Sequence, residues 1–264
     1  MRVIDSVIDF PKGDWGEDRL FIRNDAVGVI DGSSPIMVTS IEGYHSQAEW
    51  LADNLSIGLQ EDKELPLPFV CRVVTDTLSK SEELQNLNLS KENLPCATFA
   101  GISYFNGRVS VFVLGDCSVV FEMKDGTFEV LTDKRIKKFS EKTKEARRLA
   151  LESGEDVSKA VKTQMTANRE AMNTEDGFWT VGLHGKYWYE FLCEKYLTSE
   201  LKRCLIMSDG FERVFTEGLL SYHDVLSERV SLASAVGSLR TWEGSSRSSE
   251  IKRSDDASAI LVEF

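Results

Sequence analysis

The chain has 264 residues, of which 42% are hydrophobic and 28% charged, ordinary values for a globular protein and a poor match to disorder, collagen or coiled coil. Lys and Arg number 31 and Asp and Glu 43, a net charge of −12, and an acidic surface of that kind repels nucleic-acid phosphates and anionic lipid, so neither nucleic acid nor membrane is expected as a partner. No apolar run approaches the roughly 20 residues of a membrane helix.

Asp5 and Asp9 interrupt any signal-peptide core at the N-terminus. The five cysteines (Cys71, Cys96, Cys117, Cys193, Cys204) are odd in number, lack CxxC spacing and lie far from His45, His184 and His223. They read as buried, reduced thiols of a cytoplasmic protein, not as a zinc site or disulfide framework.

In chain order, residues 3–10, 20–23 and 26–30 read as strands. Ala48, Leu51, Leu55 and Leu59 recur at helical spacing over residues 46–59. Prolines at 66 and 68 separate that helix from one bearing Val70, Val73, Val74 and Leu78. The period then changes: residues 98–104, 109–114, 118–123 and 128–131 read as four strands. Asn106-Gly107 and Asp125-Gly126 supply hairpin turns, and such a meander argues against an alternating βαβ sheet. Residues 135–172 form a highly charged helical stretch broken at 152–156, read as a solvated face without chemistry. Strands are expected at 178–183 and 203–207, a helix at 225–241, a polar loop to 253 and a last strand at 257–264. The pattern predicts an α+β protein, one domain over 1–264, with two mostly antiparallel sheets face to face and helices outside.

Aspartates recur beside apolar runs. Val27-Gly28-Val29-Ile30 ends at Asp31-Gly32, Val111-Phe112-Val113-Leu114 at Gly115-Asp116, and Cys204-Leu205-Ile206-Met207 at Ser208-Asp209-Gly210; Ser254-Asp255-Asp256 precedes the final strand, and Glu17-Asp18 an early one. A strand end is a rigid mount, and glycine beside the acid lets backbone approach a ligand. Clustered carboxylates do not all stay ionised without a cation, and an all-oxygen set selects Mg²⁺ or Mn²⁺ over zinc. Asp-Gly is also the common tight-turn dipeptide, and spacing alone does not bring these acids together.

In their order these segments resemble the type 2C metal-dependent serine/threonine phosphatases, the PPM family. Gly16-Glu17-Asp18 is similar to that family's first acidic motif, Val27 through Gly32 to its strand ending in a metal-bridging Asp-Gly, and Gly115-Asp116-Cys117-Ser118 to its Gly-Asp-Ser segment. Ser208-Asp209-Gly210 matches its Ser-Asp-Gly, and Asp255-Asp256-Ala257-Ser258 resembles its terminal Asp-Asn-x-Thr. The resemblance implies a four-layer α-β-β-α sandwich and a water-activating site with two divalent ions and room for a third. Asp31 would bridge two ions, with the Gly32 carbonyl a further ligand. Glu17 would hold one ion, Asp18 being its lesser neighbour. Asp209 and Asp255 would hold the other, and Asp116 would share a weaker third site with Asp209. Asp31 and Asp209 carry the catalytic role, and the implied substrate is a phosphoserine or phosphothreonine protein.

The chain departs from the pattern at two places. Ser33 stands where strongly active members carry a general-acid histidine, a loss worth roughly 10²–10⁴-fold in rate. Gly13 stands where a phosphate-binding arginine is expected, with Lys12 beside it as a point-charge substitute. These departures motivate the alternative of a catalytically weak or inactive module that binds a kinase or another regulatory protein. Residues 135–196 fall where the family varies most and are the expected place for recognition. His45, near the mouth, is a candidate acid for which surface exposure or packing is the plainer role, Trp15 equally walls the site or packs at its rim, and Cys117 reads as a buried thiol.

Overall fold

A computed structural model describes residues 1–11, 13–245 and 254–264. The strands are β1 Arg2–Asp9, β2 Asp18–Ile22, β3 Ala26–Ser33, β4 Cys96–Phe105, β5 Arg108–Leu114, β6 Ser118–Met123, β7 Phe128–Thr132, β8 Val181–Gly182, β9 Leu192–Leu197, β10 Leu201–Met207 and β11 Ala257–Glu263. The helices are α1 Gln47–Glu61, α2 Leu67–Leu78, α3 Glu82–Leu87, α4 Lys137–Ser153, α5 Val157–Ala171, α6 Asp209–Thr216, α7 Tyr222–Leu226 and α8 Leu232–Gly244.

Two antiparallel sheets result. One runs β1-β11-β10-β6-β7, the other β2-β3-β4-β5-β9 with β8 paired to β4. Alternating side chains of both meet in a dry layer that includes Val27, Val29, Ile102, Val111, Phe121, Ile206 and Ile260. On the outer face of the second sheet, Leu51, Leu55 and Leu59 of α1 and Leu67 and Val70 of α2 pack over Phe21, Ile30 and Phe99. On the outer face of the first, Phe211, Val214, Leu232, Val236 and Leu239 of α6 and α8 cover Leu205, Met207 and Leu261. The architecture is the expected α-β-β-α sandwich.

Local chemistry explains the element ends. The Ser46 hydroxyl accepts from the Glu49 amide and starts α1, whose Glu49 faces the positive end of the helix. Asn106 and Gly107 both take positive φ, as a tight β4–β5 hairpin requires.

Four expectations are corrected. Residues 178–183 join the ladder only at β8, with one further bridge from Phe178 to Met172. The helix expected at 225–241 is two, α7 and α8, because Glu228 adopts a left-handed φ and Ser231 caps a new start. That second helix runs on to Gly244, into the expected loop, whose remainder from 246 lies outside the described residues. Cys193 is exposed on edge strand β9, whereas the other four cysteines are buried.

Gly210, in the first turn of α6, is pressed against the segment leading into β11: a Cβ there would stand 1.9 Å from the Asp256 carbonyl oxygen. Gly210→Ala therefore forces two packed backbone segments apart. A loss of about 1–3 kcal/mol is expected by chemical denaturation, and a variant as stable as the parent would mean the two segments do not meet so closely.

Candidate functional site

The strand ends that carry acids converge at one end of the sandwich. The β2–β3 register sets Asp18 opposite Asp31, and the β3–β4 register sets Asp31 opposite Thr98. Asp116 lies in the turn that carries the chain from β5 to β6, out of one sheet and into the other. That turn is pinned by Asp133, whose amide donates to the Gly115 carbonyl at 3.2 Å and whose carboxylate accepts from the Gly115 amide at 3.4 Å. In the other sheet, the Ser208 amide donates to the Ser258 carbonyl at 3.0 Å, and the Ser258 amide donates to the Ser208 hydroxyl at 3.1 Å. These bonds hold the end of β10 against the start of β11, and so Asp209 near Asp255.

The acids feel one another. Burial first, then the charges of Asp18, Asp209, Asp255 and Asp116, push the Asp31 carboxyl well above the usual carboxylate range. Asp31 still keeps some exposed surface. Asp18 is pushed up to about 8, mainly by burial and further by Asp256 and Asp255, although the Ser258 hydroxyl donates to it at 2.6 Å and favours its charged form. Asp116 rises to about 7 through burial and Asp209, against a stabilising hydrogen bond from Thr98. Glu212 is raised by burial and by Asp209, while the Ser118 hydroxyl, donating at 3.2 Å, opposes the shift. Burial and the neighbouring acids likewise push the Cys117 thiol well up, the state of an inert buried thiol.

The sequence-designated acids Asp31, Asp116, Asp209 and Asp255 thus fall within one field. Glu17 lies beside them: its carboxylate accepts from the Ser34 hydroxyl at 2.7 and 2.6 Å and from the Ser46 hydroxyl, and its amide donates to Asp256. The next residue, Asp18, is buried. Gly32 lies against Glu17, its amide donating to the Glu17 carbonyl at 3.2 Å, and a Cβ at Gly32 would stand 2.6 Å from that oxygen.

At the rim, the His45 ring stacks on Trp15 with centroids 4.6 Å apart, and its Nδ1 lies 3.2 Å from Glu49. Arg19 ties Glu49 to Asp53 at 3.1 and 3.0 Å. Gly13 is exposed and faces open space, and Lys12 lies outside the described residues.

A divalent cation fits the donor chemistry, which is oxygen-only, buried and self-repelling. As placed, no three His, Cys, Asp or Glu side chains among the described residues form a ready-made coordination set.

No protein-family model matches the chain, and no curated protein matches its sequence. Solved structures do match in fold. The serine/threonine phosphatase Stp1 from Staphylococcus aureus aligns at TM-score 0.58 and 12% identity over 100% of this chain and 96% of its own. PppA, a regulatory component of the type VI secretion system in Pseudomonas aeruginosa, aligns at TM-score 0.58 and 14% identity over 98% and 96%. The catalytic domain of the phosphatase PstP, solved with 2 manganese ions, aligns at TM-score 0.55 and 12% identity over 98% and 96%. The chain has the PPM serine/threonine phosphatase fold.

The crowding of acids has a consequence of its own. Unfolded, these carboxyls titrate near 4; folded, Asp116 near 7 and Asp18 near 8 still hold protons. Between those limits the folded state binds more protons, so stability falls as pH rises. Chelator-treated protein is expected to lose stability from these groups as pH rises from about 4 to 8 in urea titrations, and Asp18→Asn to flatten that slope. An unchanged slope in the variant would place the penalty elsewhere.

Proposed function

We propose that the chain is a Mg²⁺- or Mn²⁺-dependent phosphomonoester hydrolase, a protein serine/threonine phosphatase formed as one domain over 1–264 and working in the cytoplasm. The observation that carries this reading is the convergence of Asp18, Asp31, Asp116, Asp209 and Asp255 at one end of the fold, where burial and the neighbouring charges hold Asp18, Asp31 and Asp116 above the usual carboxylate range. Crowded, oxygen-only carboxyls of this kind favour a cation-binding reading.

Asp31 and the Gly32 carbonyl would hold the shared position, Asp209 and Asp255 one ion, and Glu17, with Asp18 as its lesser neighbour, the other. Asp116 with Asp209 would take a weaker third. Ions bound there supply Lewis acidity, activating a water for in-line attack and neutralising charge on the transferred phosphoryl group. The chain's residues do the rest. The carboxyls give up their protons on loading, so affinity rises with pH. The Ser208–Ser258 bonds fix Asp209 and Asp255 before substrate arrives, which removes a reorganisation cost from the reaction. The leaving alkoxide finds Ser33 where a histidine would protonate it, so esters with poor leaving groups should turn over slowly.

A second reading rests on Gly13 and Ser33, which leave the phosphate grip and general acid unfilled: a weakly active or inactive module that docks a kinase or regulatory protein. No helix among the described residues is long and apolar enough to cross a membrane, and neither reading invokes membrane or nucleic acid.

p-Nitrophenyl phosphate separates the two, because its good leaving group needs little general acid. Hydrolysis is expected with Mn²⁺ or Mg²⁺, none with chelator, and a fall on the order of 10³-fold in Asp31→Ala and Asp209→Ala. Folded protein without turnover and without thermal stabilisation by millimolar Mn²⁺ would favour the docking module.

A further inference from the structure

The helical hairpin α4–α5 is charged and largely exposed, yet one of its arginines turns inward. Arg169, near the C-terminal end of α5, is 7% exposed. One terminal nitrogen of its guanidinium donates to the Ser33 carbonyl at 2.9 Å, the Ser33 hydroxyl at 3.1 Å and the Ser34 carbonyl. The other donates to the Leu94 carbonyl at 3.3 Å and the Cys96 sulfur at 3.1 Å. The planar fork is thus spent on two neighbouring backbone segments, the end of β3 and the approach to β4.

The grip falls directly after Asp31-Gly32. Ser34, whose carbonyl Arg169 holds, gives its hydroxyl to both oxygens of Glu17. Glu17 is joined to Gly32 and to Asp256 through its backbone. A continuous run of hydrogen bonds therefore leads from α5 through Ser34 to both flanks of the acid cluster. Asn168, one residue earlier, donates to the Phe139 carbonyl at 3.0 Å and the Thr143 hydroxyl at 2.9 Å, so the same turn of α5 is also fastened to α4.

We propose that Arg169 is a positioning residue: it clamps residues 33–34, sets the placement of Glu17 and Gly32, and makes the cation affinity of the site depend on how the α4–α5 hairpin is seated. The inference deepens the metal-dependent reading above and rests on it for the metal arm alone; the clamp itself is a property of the fold. Anything that binds the hairpin would then act on the site through this one side chain. Removing an outer partner of this kind typically costs 10- to 100-fold in metal affinity.

The test compares Arg169→Met, Arg169→Lys and Ser34→Ala with the parent chain. Mn²⁺ binding is followed by calorimetry, and amide hydrogen exchange is followed without metal. Val236→Ala, which loosens the helical layer on the outer face of the other sheet and touches neither the hairpin nor the clamp, is the control for mere destabilisation. Arg169→Met is expected to weaken Mn²⁺ at least tenfold and to speed exchange at residues 17 and 32–34 while the sheet core stays protected. Arg169→Lys, which keeps the charge but loses the fork, should recover only part. Ser34→Ala should weaken Mn²⁺ without loosening the hairpin, and it decides the metal arm if Arg169→Met does not fold. Unchanged exchange at 17 and 32–34, or a Val236→Ala effect equal to that of Arg169→Met, would overturn the clamp. A parent chain that binds no Mn²⁺ would remove the proposed function, and the exchange arm would still decide the clamp.

Discussion

Like charges confined at the end of a dry two-sheet core are the constraint around which this chain is organised. Each carboxylate costs free energy to desolvate, and each neighbour adds to the cost. The fold offsets this with fixed donors: the Ser258 hydroxyl on Asp18, Thr98 on Asp116, and the amides of Glu17 and Asp18 on Asp256. These donors do not restore ordinary acidity, since Asp18 still stands near 8 and Asp116 near 7. Near neutral pH Asp18 and Asp116 therefore keep part of their protons, and on the proposed reading cations would take their place.

The constraint reaches the whole architecture because the acids come from both sheets. Asp18 and Asp31 belong to one, Asp209 and Asp255 flank strands of the other, and Asp116 sits on the turn between them. Their spacing is therefore set by sheet-on-sheet packing through residues such as Val29, Val113, Ile206 and Ile260. The turn at Asp116 has a brace of its own. Asp133, buried and bonded to Gly115, is gripped by Arg135, which also holds Glu190 at 2.9 Å. A charged chain places its ion pairs where they support backbone, and buried pairs of this sort specify a geometry more than they add stability.

Strands and outer helices were legible in the sequence because burial and period coincide there. Val27 to Ile30 is buried on every residue, and α1 repeats its apolar face every three or four. Legibility failed where that link breaks. Edge strand β9 carries Glu194 and Lys195 on largely exposed backbone, so it has no apolar alternation to read. Helix α6 begins at Asp209 itself, and a motif that reads as a strand end hides the helix behind it. The acid set was legible from glycine and strand context. That Asp18 sits opposite Asp31 required the register, and Arg169 was invisible because one buried arginine in a charged stretch has the same letters as a solvated one.

The departures at Gly13 and Ser33 bear on what kind of phosphatase this would be. A phosphate dianion approaching the cleft meets carboxylates, in a chain whose net charge is −12. Gly13 carries no side chain to grip it, and the guanidinium of Arg169, close by in the fold, is already spent on carbonyls. On the proposed reading, attraction for phosphate then comes chiefly from the ions themselves. Metal and phosphate binding become two halves of one equilibrium, each raising the affinity for the other by the same factor. A residue that tunes cation affinity from the α4–α5 side would, by that reciprocity, tune substrate affinity without touching substrate.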